Sequence, residues 1–76
     1  MTTSPLAAFD QAIEIIGTQQ KLARALGHKH QSYVGEIRRR LLNKKGAVVP
    51  ADICPAIERL TKGKVKRAQL NPKVVW

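Results

Sequence analysis

Gln19-Gln-Lys-Leu-Ala-Arg-Ala-Leu-Gly-His-Lys-His-Gln-Ser-Tyr-Val-Gly-Glu-Ile37 is the stretch on which the fold turns. Leu22, Ala23 and Leu26 fall on the inner side of a short helix, with Lys21 and Arg24 outside. Gly27 takes positive φ at low cost, so the chain can turn sharply there. After the polar turn His28-Lys29-His30, a second helix starts near Gln31 or Ser32, and Val34, Ile37 and Leu41 form its buried stripe at i, i+3 and i+7. Two helices across a tight, glycine-bearing turn make a helix-turn-helix unit, here about residues 18–41. Ala23 is small where the second helix crosses the first. With Val34 and Ile37 anchored beneath, the opposite face projects, and a projecting helix fits the major groove of B-DNA, about 12 Å wide.

The flanking sequence reads as further helix. Ser4-Pro5 supplies a cap and a first-turn proline, Leu6, Phe9, Ile13 and Ile16 recur at helical spacing, and Gly17 stops a first helix of about residues 5–16. Thr18 caps the next helix, about residues 19–26. Asn43-Lys44-Lys45-Gly46 is a basic turn that ends the third. Ala47-Val48-Val49 is apolar, and its form is open between extended chain and strand. Pro50 starts a fourth helix with Ile53, Ile57 and Leu60 as its stripe; Pro55 either kinks it or divides a 3₁₀-like turn from a regular second part. Glu58 and Lys62 form an i, i+4 surface pair. Val65 and Leu70 anchor a last turn before Pro72. The expectation is one all-α domain over residues 1–76, a small bundle of four to five helices with a tail at 72–76.

Composition narrows the function. Fourteen Lys+Arg stand against five Asp+Glu, a net charge of +9 on 76 residues. That surplus makes a positive field several kT deep that attracts polyanions, nucleic acid first among them. Aromatic content of 4% offers no stacking platform for single-stranded RNA. Cys54 is the lone cysteine, so no intrachain disulfide forms, and it reads as a small buried hydrophobe. His28 and His30, two apart in a turn, make no metal set with it. No paired carboxylates, Ser/His/Asp set or phosphate-cradling glycine loop is present, which argues against an enzyme; no cofactor is expected. Without a targeting or membrane-length apolar segment, a soluble cytoplasmic protein with no membrane partner is expected. A core this small needs a supplement, and a second subunit is the one left, so a homodimer is expected. Val74, Val75 and Trp76, apolar where a free end is usually polar, are either a core plug or a subunit contact; the subunit contact is preferred.

Gly17-Thr-Gln-Gln-Lys-Leu-Ala-Arg-Ala-Leu-Gly27 resembles the Cro/CI class of phage-type, lambda-repressor-like repressors. More narrowly, Val49-Pro-Ala-Asp-Ile-Cys-Pro-Ala-Ile-Glu-Arg-Leu-Thr-Lys-Gly63 and Lys64-Val-Lys-Arg-Ala-Gln-Leu-Asn-Pro72 are similar to YdaS-like antitoxins and Cro-like regulators. The resemblance covers about residues 9–72. It implies a Cro/CI-type helix-turn-helix domain that binds operator DNA as a dimer. Such a protein represses transcription in a prophage or toxin–antitoxin operon. An antitoxin or adaptor acting through contact with a toxin or other protein is the alternative. The sequence departs from the pattern in three places. The Gly27–Val34 turn is one residue longer, Ile37–Val49 is several residues longer, and Lys66 stands where relatives carry a threonine cap. The first leaves the register of the third helix in the groove open.

In helix-turn-helix proteins the start of the second helix of the unit reads base edges while the first touches the backbone. Gln31, Ser32, Gly35, Glu36 and Arg39 are therefore the base-reading candidates: glutamine pairs with adenine, glutamate accepts from cytosine, arginine forks onto guanine. Gln19, Gln20, Lys21, Lys29, Arg38, Arg40, Lys44 and Lys45 are the candidates for holding the phosphate backbone.

Overall fold

The computed structural model describes residues 4–27 and 32–76. Among them lie five helices and no strand: α1 (Pro5–Ile16), α2 (Gln19–Ala25), α3 (Ser32–Asn43), α4 (Cys54–Leu60) and α5 (Arg67–Leu70). None is long and apolar enough to cross a membrane.

The caps fall where the sequence puts them. Ser4 Oγ accepts from Ala7 N at 3.1 Å, and Pro5 occupies the first turn of α1, where a missing N–H costs nothing. Thr18 Oγ1 accepts from Lys21 N at 3.1 Å at the head of α2. Gly27 sits at φ 87, in the left-handed region that the sharp turn demands. α2 ends at Ala25, one residue short of the expected helix, and Leu26 N closes the turn onto Leu22 O and Ala23 O.

α1 touches α2, α3 and α5, and its centre explains how. Ala8, Phe9 and Ala12 are fully buried, while Leu6, Ile13 and Ile16 flank them half-buried against the core. Two alanines beside one phenylalanine let neighbouring helices approach closely. Phe9 fills the space between them with Leu22, Val34 and Leu70, all fully buried. Val34, Ile37 and Leu41 form the inner stripe of α3 as their spacing predicts.

The C-terminal half departs from expectation in three ways. The fourth helix begins at Cys54, not Pro50. Residues 51–53 form a turn closed by Ile53 N on Pro50 O at 3.2 Å, so Pro55 falls in the first turn of α4, where it is tolerated without a kink. Leu60 is not part of the buried stripe: it is 38% exposed and Thr61, at 1%, takes its place. The reason is hydrogen bonding. Thr61 Oγ1 donates to Ile57 O at 3.0 Å and accepts from Val65 N at 3.2 Å, closing the turn into α5. Finally, Glu58 does not pair with Lys62. Lys62 sits at φ 56 in the turn after α4, and the Glu58 carboxylate instead accepts from Arg67 N at 2.7 Å and Arg67 Nε at 3.4 Å. That backbone hydrogen bond holds the Glu58 carboxyl below its ordinary range.

Residues 47–50 form neither helix nor strand. Val49 is fully buried, and Val49 N donates to Leu70 O at 3.1 Å. Cys54 is buried as expected; its Sγ lies 3.3 Å from Pro50 O, and burial pushes the thiol up to about 11, so it stays protonated and inert.

Thr61→Val keeps the shape of this side chain but leaves Val65 N–H buried and unpaired. Urea unfolding should register a loss of about 1–3 kcal/mol. Thr61→Ser, which retains the hydroxyl, should recover most of it.

Candidate nucleic-acid interface

Burial of Val34, Ile37 and Leu41 fixes what α3 presents. At about 100° per residue, the direction opposite that stripe carries Ser32, Gly35, Glu36, Arg39 and Asn43. Ser32, Glu36, Arg39 and Asn43 are all exposed. Gly35 is half-buried, and a Cβ built there would meet Gln19 Oε1 at 3.5 Å. The first turn of α2 therefore lies beside the outward face of α3. That juxtaposition is the one a groove-reading helix and a backbone-holding helix need.

The sequence candidates divide accordingly. Ser32, Gly35, Glu36 and Arg39 share the outward face of α3. Gln19 and Gln20 lie at the head of α2, Gln19 half-buried against Gly35 and Gln20 exposed. Lys21 folds back, its Cδ and Nζ 3.2 and 3.4 Å from where a Cβ on Gly17 would be. Arg40, Lys44 and Lys45 are exposed at the C-terminal end of α3 and in the turn after it. Gln31 and Lys29, with His28 and His30, lie outside the described residues. Among the described residues no group of three His, Cys, Asp or Glu can hold a metal ion.

Arg38 stands apart. It lies on the flank of α3 toward α1, where its Nε and Nη2 donate to the two Asp10 carboxylate oxygens at 2.7 and 3.3 Å. Hydrogen bonding to Asp10, with the attraction of its charge, raises the arginine further above its already high range. Arg39, Arg40, Lys44 and Lys45 have no carboxylate partner among the described residues. One arginine of the Arg38-Arg39-Arg40 run thus ties α3 to α1, and the other two remain open to an anion.

Asn43, which the sequence places in the basic turn, is the last residue of α3 and lies four beyond Arg39, on the same face. Helical spacing counted on from Arg39 is the signal that finds it. Tyr33 is half-buried against the core; burial raises its phenol pKa, aided by the charge of Asp52. At the far end, Trp76 folds onto its own chain: Nε1 donates to Asn71 O at 3.0 Å, and the Arg67 guanidinium lies 5.6 Å above the ring. Val74 is half-buried and Val75 is 99% exposed.

The ion pair holding α3 is partly solvated, with both side chains more than a third exposed. Asp10→Asn should lower unfolding stability by less than about 1 kcal/mol at low salt. The difference should fade toward 1 M salt, where screening length falls to about 3 Å. Denaturation curves at two salt concentrations check this.

Comparison with known proteins bears on the family and the fold. A family model described as Bacterial toxin YdaS matches residues 9–76. A protein of Escherichia coli K12, YdaS, named as a candidate transcriptional regulator, is 35% identical over 72 residues. That match takes in 91% of this chain and 64% of the relative, so the chain spans less than two thirds of that protein's length. Among solved structures, the Cro protein from the candidate prophage element Xfaso 1 of Xylella fastidiosa strain Ann-1 superposes with a TM-score of 0.77. It is 38% identical, with 91% of this chain and 95% of that chain covered. The expected Cro-type all-helical architecture is the observed one, and neither relative is named as an enzyme.

Proposed function

The chain belongs to the YdaS family, a Cro-like group of regulators, and from that premise we propose that it is a sequence-specific, double-stranded-DNA-binding transcriptional repressor. The observation that carries this reading is the outward face of α3, where Ser32, Glu36 and Arg39 are exposed beside the head of α2, with Arg39, Arg40, Lys44 and Lys45 without carboxylate partners among the described residues. Arg39 forks onto a guanine, Ser32 and Glu36 read neighbouring base edges, and Gly35 lets a base or sugar approach the helix backbone. Gln31, which precedes Ser32 in sequence, belongs to the same proposal. Gln19, Gln20, Lys21 and Lys29 hold one strand's phosphates, and Arg40, Lys44 and Lys45 hold the backbone past the other end of α3. In this reading Arg38 serves α3 indirectly, through Asp10.

The protein acts in the cytoplasm as a homodimer on the operator of a prophage or toxin–antitoxin operon. Dimerisation adds the apolar burial that so small a core lacks. Val75 is the exposed apolar residue best placed for it, with Val74 and the outer edge of Trp76 alongside. The second reading is an adaptor or antitoxin working through a toxin or other protein. It draws on an open cleft of about 570 Å³ lined by Pro5, Leu6, Leu42 and Pro72 together with Lys44, Lys45 and Lys73, where Leu42 is 54% exposed.

Footprinting on the DNA flanking its own gene separates the two. A repressor protects a palindromic site whose half-site spacing reflects a dimer axis, and an adaptor protects nothing. On that site Arg39→Ala should cost about 1–3 kcal/mol and relax preference at one base position. A uniform loss on all sequences would make Arg39 a backbone contact instead. Val75→Asp should shift sedimentation toward the monomer mass; an unchanged dimer would place the subunit contact elsewhere.

A further inference from the structure

Beside the C-terminal end of α3 lies a depression of about 290 Å³. Arg40, Lys44, Lys45 and Lys73 line it around a floor of Ala47 and Val48, and no carboxylate is among its walls. The four cations come from three parts of the chain: the last turn of α3, the turn after it, and the C-terminal segment. None has an ion-pair partner among the described residues. Four like charges gathered on one depression repel each other, and an anion seated there would offset that cost.

Lys73 does not arrive there by chance of a loose tail. Asn71, 5% exposed, donates from Nδ2 to Val49 O at 3.0 Å and accepts at Oδ1 from Lys73 N at 3.1 Å. Val49 N in turn donates to Leu70 O, and Trp76 Nε1 closes on Asn71 O. A buried amide therefore clasps the C-terminal segment to the chain that follows α3, and the next residue but one is the lysine of the depression.

We propose that this depression is a phosphate-binding notch and that Lys73, positioned by Asn71, is a DNA-backbone contact. The assignment rests on the DNA-binding reading above and extends it to a segment outside the helix-turn-helix unit. Arg40 joins the notch directly to α3, so a duplex lying along the outward face carries its backbone across it. Phosphate contacts of this kind set register and add affinity without reading sequence.

The test is salt-dependent binding of the intact chain, with fluorescein-labelled operator duplex and a random-sequence duplex as probes. Lys73→Gln should lower the slope of log affinity against log salt by about one on both probes, as Lys44→Ala should. At 0.1 M salt that is roughly a five- to tenfold weaker complex. Lys64→Gln, which removes the same charge from an exposed lysine away from the notch, should leave the slope unchanged. If Lys73→Gln behaves like Lys64→Gln while Lys44→Ala loses slope, the notch does not include Lys73, and the DNA reading stands without it. If Lys64→Gln loses as much as Lys73→Gln, only net charge is being read and the notch is refuted. If the wild-type chain binds neither duplex, both the notch and its parent reading fall.

Discussion

Burial of one stripe on α3 is the constraint from which the rest of the structure follows. Val34, Ile37 and Leu41 have to leave water together, and they do so against Phe9, Ala12 and Leu22 on α1 and α2. A helix that buries one stripe has no choice about its opposite side, so Ser32, Glu36, Arg39 and Asn43 face outward because Val34 and Ile37 face in. The hydrophobic effect is non-directional, but on a helix of fixed pitch it becomes directional. The small residues beneath matter as much as the large ones. Ala8, Ala12 and Ala23 are buried in the same core cluster as Phe9, where a larger side chain would need more room.

Polar ties do work in this molecule that a disulfide does in many small folds. The second half of the chain has little regular helix, with α4 of seven residues and α5 of four. Its path is set by three side chains that bond backbone: Thr61 across the turn after α4, Glu58 at the head of α5, and Asn71 between the C-terminal segment and Val49. Thr61 and Glu58 satisfy groups that the ends of the short helices leave open, and Asn71 satisfies Val49 O and Lys73 N outside any helix. Thr61 and Asn71 do so while buried, where an unpaired amide or hydroxyl would be costly. Through Asn71 the end of the chain is brought alongside the end of α3, which joins the C-terminal segment to the cationic surface.

The division of the three consecutive arginines follows the same geometry. Successive residues on a helix point about 100° apart, so Arg38, Arg39 and Arg40 cannot share one role. Arg38 falls on the flank next to α1 and meets Asp10 there. Arg39 falls on the outward face and Arg40 on the far flank, next to the basic turn.

Local chemistry was legible in the chain itself. Ser4 and Thr18 are caps because a hydroxyl before a helix has a free N–H to accept from. Gly27 is the turn because it alone of its neighbours tolerates positive φ, and the stripe of α3 is a matter of spacing. These depend on residues three or four apart, and so did the candidate surface, which is whatever the stripe excludes. Partners many residues apart were decided by the tertiary structure alone. Nothing local distinguishes Lys62 from Arg67 as the mate of Glu58, gives Asp10 to Arg38, or lets Thr61 displace Leu60 from the core. Nor does sequence spacing bring Lys73 to Lys44 and Lys45. Such pairings depend on where packed helices leave the backbone, and that is fixed only when the whole core closes.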